Sequence, residues 1–231
     1  MAGTLLIGNV ENVLLAALTQ VLRPGNPYLY AMGPSRTDMR SGGDMYYTLD
    51  KVLWKLDAAQ LGYSYNLPVF SECGGTMTYR YDQQNGAEGM LFMLAAVESH
   101  AHILSGLGSC YNAFGMSAEM MVVQAAWLEA AKYLVRGIET GRIVDAVESI
   151  KRVGPGGHFM TDDSTLDLLH AGEFFDNEIF DHSGACGPHS SLLEKAHYKV
   201  EKLIARFRPP VPESLQEDLR RHFSELYTNF I

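Results

Sequence analysis

Apolar residues recur at helical spacing at the start of the chain: Leu6, Val10, Val13, Leu14, Ala17, Leu18 and Val21. Pro24-Gly25 ends that helix at Arg23. A short apolar run bounded by breakers follows, Pro27 to Met32, and reads as a buried strand. Gly33 to Tyr47 is a polar loop. Thr48 then caps a second helix whose apolar stripe is Leu49, Val52, Leu53, Leu56 and Ala59, ending between Leu61 and Tyr65. The alternation repeats. Leu67 to Phe70 is a strand, Glu72 to Tyr81 a loop rich in Gly and Thr, and Gln84 to His100 a helix with Ala87, Met90, Leu91, Leu94 and Val97 on one face. His102 to Leu104 is a weak strand. Ser117 caps a helix that Gly137 closes.

The remaining pattern is helical. Ile143 to Arg152 leads into the turn Gly154-Pro155-Gly156-Gly157-His158-Phe159, and Thr161 caps a further short helix. Gly184 to Gly187 is a loop, Pro188 opens a helix that carries Leu192, Leu193, Ala196, Val200, Leu203 and Ile204, and Pro209 to Pro212 is a stiff linker. A last helix uses Leu215, Leu219, Phe223 and Leu226.

Strands alternating with helices predict an α/β fold with a parallel sheet. The long polar loops all follow strands, and the helix-to-strand connections are short. That asymmetry is expected of a (β/α)8 TIM barrel, whose site is built on the loops after the strands. Only about three parallel strands are legible, too few to close an eight-stranded barrel. Such a barrel would be missing strands upstream. A chain that enters its first helix at once reads as starting inside a larger architecture.

Composition narrows the partners. The 231 residues carry a net charge of −9. Nucleic acid and anionic membrane need clustered Lys and Arg, which are missing, so neither is expected as a partner. No unbroken run of apolar residues is long enough to suggest a membrane span. Three cysteines, an odd and widely spaced set, fit reduced thiols and a cytoplasmic location.

Chemistry gathers on the post-strand loops. Asp38 and Arg40 follow the first strand, Glu72 and Tyr79 the second, and Tyr111, Asn112 and Phe114 the third. His158 and Phe159 sit on the glycine turn. His158 suits proton transfer or a ligand contact, because its ordinary pKa lies near neutrality; in the alternative its ring is pinned in a tight turn. Glu72 lies just past a buried strand and is the stronger carboxylate. Asp38 and Arg40 position one another, a substrate, or merely a solvated loop. Tyr79, Tyr111 and Phe114 can form walls for a cationic ligand. A zinc site on Cys73, Cys110 and His158 lacks any ligand-type spacing, and no metal is expected.

The turn Gly154-Pro155-Gly156-Gly157-His158-Phe159 resembles a signature of the trimethylamine methyltransferase family, as do Ala2-Gly3-Thr4, Gly8-Asn9-Val10-Glu11, Arg23-Pro24-Gly25, Asp38-Met39-Arg40, Asp82-x-Gln84-x-Gly86-x-Glu88 and Arg136-Gly137-Ile138-Glu139. The resemblance implies a (β/α)8 barrel about twice this length. It implies that the chain is its C-terminal half, a partial (β/α)8 TIM barrel with covering helices over residues 1–175, followed by a C-terminal helical tail over residues 176–231. It implies a corrinoid-dependent methyltransferase that moves a methyl group from a methylated or quaternary amine, glycine betaine or trimethylamine-like, to a Co(I) corrinoid on a separate protein. It also implies a link to methanogenesis. No pyrrolysine stands in the chain, which is therefore similar to the members without it. Cys73-Gly74-Gly75-Thr76-Met77-Thr78-Tyr79 departs from the expected Gly-Gly-x-Thr-Asp-x-Lys. On this reading His158, Glu72 and Asp38 are catalytic, and Arg40, Tyr79, Tyr111, Asn112, Phe114 and Phe159 bind substrate. The partners are a corrinoid protein, a small methylated amine, and an N-terminal barrel half or further copies of the chain. No cofactor is held tightly by the chain itself. The alternative is a truncated, non-catalytic barrel half that binds a chain supplying the missing strands.

Overall fold

A computed structural model describes residues 1–184, 190–208 and 210–228, and the side chains of all of these up to 224. The loop ending at Gly187, the helix start at Pro188, Cys186, Pro209 and the Leu226 side chain lie outside what is described. Helices dominate: α1 (Ala2–Leu22), α2 (Leu49–Ser64), α3 (Gln83–Glu98), α4 (Ala118–Arg136), α5 (Ile143–Val153), α6 (Asp163–His170), α7 (Leu192–Arg206) and α8 (Glu213–Thr228). Between them run β1 (Arg36–Thr37), β2 (Asp44–Met45), β3 (Phe70–Glu72), β4 (Ile103–Ser105), β5 (Ser109–Cys110) and β6 (Gly115–Met116).

The three expected strands lie side by side and are parallel, but each is short. Tyr30 bridges Val69, and β3 pairs with β4 in the register Phe70 to Ile103 and Glu72 to Ser105. That is a parallel α/β arrangement, mostly helical, and is not by itself a barrel. The other strands form two antiparallel hairpins, β1–β2 and β5–β6, inside what the sequence reads as loops. Side chains alternate across β3. Val69, Ser71 and Cys73 are buried. Phe70 and Glu72 are only partly buried, and their neighbour Ile103 is 48% exposed. One face of the sheet is thus packed on helices and the other is only partly covered among the described residues, whereas parallel sheets are ordinarily covered on both.

Cys73, Met93, Ala96, Met120, Val123, Trp127, Ala131 and Ala196 form the main core, so α3, α4 and α7 pack as one body. Gly89 makes room for the Trp127 ring. Ser117 caps α4 by accepting from the Met120 N–H at 3.2 Å, and Gly137 ends it with φ of 72°. The α7 start is a capping box of Ser191 and Glu194.

Two helices turn a different face inward than their periodicity suggests. The expected core stripe of α1 is exposed, including Leu6, Val10, Leu14 and Leu18. Its polar residues face the chain instead: Tyr30 donates to Asn9 Oδ1 at 2.8 Å, and Tyr28 to the Asn12 carbonyl at 3.0 Å. Contrary to the sequence reading, α1 is long and apolar enough to cross a membrane by length and composition, with a mean hydropathy of 1.6. Asn9, Glu11 and Asn12 interrupt the run without lowering its average below that level. On α2, Leu49 and Leu53 are exposed while Lys51, Trp54, Lys55, Ala58, Ala59 and Gly62 are buried. Two lysines therefore lie on the inner face, and the reason is the carboxylate they meet.

Candidate functional site

Glu72 ends β3 on the less covered face of the sheet. Two lysines from α2 converge on its Oε2, Lys55 Nζ at 2.9 Å and Lys51 Nζ at 3.1 Å. The Tyr46 hydroxyl donates to Oε1 at 2.6 Å. Lys51 lies against the Tyr46 ring, 2.9 Å from its centroid, and 5.4 Å from the centroid of Tyr47. The Tyr46 and Tyr47 rings meet edge to face at 4.9 Å. Lys51 is 0% exposed and the Glu72 side chain 17%. Burial opposes ionisation of Glu72, but the Lys55 charge, the Tyr46 hydroxyl and the Lys51 charge outweigh it and hold the pKa down to about 2. Burial pulls Lys51 down to about 8, against the attraction of Glu72 and aided by repulsion from Lys55. Burial and the hydrogen bond to Glu72 push Tyr46 well above its ordinary value, so it remains a donor.

The two lysines are not equivalent. Lys55 donates to the Met32 carbonyl at 3.1 Å. Lys51 Nζ and Glu72 Oε2 are buried without a partner of hydrogen-bond geometry among the described residues. The cluster carries two positive charges and one negative charge in near-dry surroundings.

Its walls are held by the two neighbouring post-strand loops. Asn112 accepts from the Tyr46 N–H and donates to the Asp44 carbonyl, each at 2.6 Å, and so fixes the segment that carries Tyr46. Tyr111, Asn112 and Ala113 are successive left-handed residues, with φ of 52°, 52° and 69°. Such a conformation costs roughly 1–2 kcal/mol per residue without glycine. The Tyr111 and Asn112 N–H groups offset this by donating to the Thr78 and Thr76 carbonyls at 3.2 and 2.9 Å. Tyr47 donates to Ser109 at 2.9 Å, and its ring lies so close to Gly75, at φ of 117°, that any Cβ there would strike it. Buried Gln124 accepts from the Gly108 N–H at 2.6 Å and ties the same loop to α4.

Residues 1–226 match the family model described as trimethylamine methyltransferase (MTTB). The chain belongs to the trimethylamine methyltransferase family. It is 28% identical over 214 residues to a glycine betaine methyltransferase of Desulfitobacterium hafniense (strain Y51), covering 91% of this chain and 44% of that protein. It is 25% identical to trimethylamine methyltransferase MttB of Methanosarcina barkeri (strain Fusaro / DSM 804), covering 95% of this chain and 45% of the relative. It is also 25% identical to a proline betaine:corrinoid methyltransferase of Eubacterium limosum, covering 96% and 47%. The chain thus spans somewhat less than half the length of these relatives.

Within this member of the trimethylamine methyltransferase family, the residues singled out by sequence fall into separate places. Glu72 and Asn112 belong to the cluster, Asn112 through the backbone it pins. Tyr79, Tyr111 and Phe114 touch one another, with centroids 5.6 and 6.0 Å apart, but are mostly exposed. No ring contact or hydrogen bond joins them to Glu72 among the described residues. Asp38 holds its own hairpin turn, accepting from Ser41 Oγ at 2.7 Å and the Arg40 N–H at 3.1 Å, while Arg40 points to solvent. His158 is exposed and makes no hydrogen bond or ion pair among the described residues. Phe159 is 42% exposed.

The glycine turn around His158 has a local task. Gly154 ends α5 at φ of 70°, and Arg152 reaches across to Asp162 at 2.6 Å. Asp162, rather than Thr161, caps α6 by accepting from the Ser164 N–H at 3.0 Å. The Ser164 hydroxyl and Arg152 hold its pKa down to about 2. Burial pushes the Cys73 thiol up to about 11 and raises that of Cys110. No three His, Cys, Asp or Glu residues stand close enough to hold a metal among the described residues, so the zinc alternative lacks a geometry. Sequence reasoning missed Tyr46, Tyr47, Lys51 and Lys55. The available signal was Lys51 and Lys55, one turn apart next to the apolar stripe, on the helix that follows a site loop.

Proposed function

We propose that the chain forms the C-terminal part of a (β/α)8 barrel methyltransferase. It would move a methyl group from a quaternary or methylated amine to a Co(I) corrinoid on a separate protein. The observation that carries the reading is the family match across nearly the whole chain, joined to a partly buried carboxylate at the end of a parallel strand, bonded to Tyr46 and paired with a lysine that lies on the Tyr46 ring. Tyr46, Tyr47 and Glu72 offer ring faces and a negative charge, which suit an ammonium centre. They are far too tightly packed for a corrinoid ring, which stays with the partner protein and supplies the Co(I) nucleophile when that protein docks. The tasks of this chain are to bind the amine, orient one N–CH3 bond outward and keep water from the site. The C–N bond breaks with both electrons remaining on nitrogen, so a quaternary donor needs no proton at that step. His158, Asp38, Arg40, Tyr79, Tyr111, Phe114 and Phe159 would join this mouth from the loops around it.

The test is methyl transfer from glycine betaine to a Co(I) corrinoid protein, followed by the cobalt absorption spectrum. It is run with the chain alone and with a polypeptide carrying the rest of the family's length. Turnover is expected with both present. Its absence in both mixtures removes the enzymatic reading.

A second reading has its own support. Most apolar residues of α1, and Ile103 on the less covered face of β3 and β4, are exposed among the described residues. They fit a non-catalytic half that binds a polypeptide supplying further strands. A stable complex without turnover would favour it.

A further inference from the structure

Lys51 stands where the proposed substrate's cation would stand. Its Nζ rests on the face of Tyr46, beside Tyr47, and 3.1 Å from Glu72 Oε2. An ammonium has three N–H donors to satisfy, and here the polar contact available to them among the described residues is the 3.1 Å ion pair with Glu72, poorly aligned for a hydrogen bond. The seat offers ring faces and one charge, which is poor for NH3+ and good for a methylated nitrogen, whose surface is apolar and positive. The neighbouring Lys55 differs. It is anchored to the Met32 carbonyl and pairs with the same carboxylate oxygen at 2.9 Å, so Glu72 keeps a counter-ion without Lys51. Exchange of Lys51 for an incoming ammonium leaves the net charge of the site unchanged.

We propose that Lys51 is a removable occupant of a binding seat for a methylated ammonium group, formed by the rings of Tyr46 and Tyr47 and the carboxylate of Glu72. The proposal deepens the reading of this mouth as an amine site and rests on it. The lysine side chain swings out on its flexible stem as the ligand enters, and closes the seat again when the ligand leaves. Water is thereby kept off Glu72 in the resting protein.

Tetramethylammonium is the probe, titrated by calorimetry into the full chain. Lys51→Ala empties the seat, and Lys51→Met refills it with an uncharged stem of similar length. The alanine variant is expected to bind the probe at least about tenfold more tightly than either the wild type or the methionine variant, and Tyr46→Leu added to it removes the gain. Equal binding by folded alanine and methionine variants would overturn the proposal. Should the alanine variant fail to fold, the wild type gives the answer through pH. Lys55, Glu72, Tyr46 and Tyr47 face Lys51, and Asp44 lies farther off. Lys51 sits at about 8 in the seat and regains its ordinary 10.5 once displaced into solvent, so binding takes up a proton, and probe affinity falls about tenfold between pH 7 and 9 in the wild type while it stays flat in Lys51→Met. A flat wild-type profile would overturn it equally. Probe binding without methyl transfer counts against the enzymatic reading alone, and methyl transfer without the alanine gain counts against this proposal alone.

Discussion

The loop ending in Glu72 and the glycine turn bearing His158 both look like sites in sequence, yet they are built on opposite terms. At Glu72 the charges are buried, outnumber their partners and shift one another's protonation. At the glycine turn the charged pair, Arg152 and Asp162, closes one helix onto the next, and the histidine stands outside it in solvent. Glycine gives a sharp bend in both places, but only at Gly75 does the missing Cβ make space for a ring of the site. A glycine-rich turn next to a histidine therefore says less about chemistry than a carboxylate at the end of a strand facing lysines on the following helix. Burial with unequal charge is the distinguishing feature, because it stores free energy that a ligand can draw on.

The largest test of that contrast is Glu72→Leu. It leaves two buried ammonium groups without their counter-ion, a loss of about 3–5 kcal/mol for a broken buried pair. Thermal unfolding of the variant is expected roughly 10 °C below the wild type. An unchanged midpoint would mean that the lysines reach solvent and that the two regions do not differ in kind.

A somewhat smaller effect follows from Lys51. Its ordinary pKa of 10.5 falls to about 8 in the folded chain, so between these values the unfolded chain binds more protons and stability rises with pH. The full shift corresponds to a gain on the order of 3 kcal/mol, spread from about pH 8 to 10.5. The difference in stability between the wild type and Lys51→Met, measured by denaturant melts, should change by this amount across that range, because the raised Cys73 thiol, which acts in the opposite sense from pH 9 to 11, is common to both. The methionine variant should also be the more stable protein at pH 7, since one buried carboxylate then faces one buried lysine. Glu72 acts at the other end. Its folded value of about 2 lies below the ordinary 4.5, so its contribution is complete above pH 4.5 and fades as the pH falls toward 2.

Much of the fold was legible because local signals were strong. Ser117, Gly137 and the breaker pair Pro24-Gly25 mark helix ends that the structure keeps. Glu72 was legible as a carboxylate past a buried strand. The lysines were not, because periodicity counts apolar residues and assigns Lys51 and Lys55 to solvent. Only a carboxylate on another element, twenty-one residues after Lys51 and seventeen after Lys55, brings them inward. Tyr46 was hidden for a similar reason, since its place depends on Asn112 from a different loop. The exposed side of α1 shows the converse, with an apolar stripe pointing away from its neighbours among the described residues.

The smallest expected effect falls on the glycine turn. His158→Ala removes an exposed side chain with no hydrogen bond or ion pair among the described residues, so the thermal midpoint should stay where it is. The contrast sharpens if the same variant, assembled with the rest of the family's length, loses methyl transfer. His158 would then be a group that gains its partners only at a completed mouth, without a share in the stability of this chain. If turnover is kept as well, the glycine turn is a helix junction whose work is done by Gly154, Arg152 and Asp162. In that case the chemistry on this chain lies with Glu72 and the rings around it.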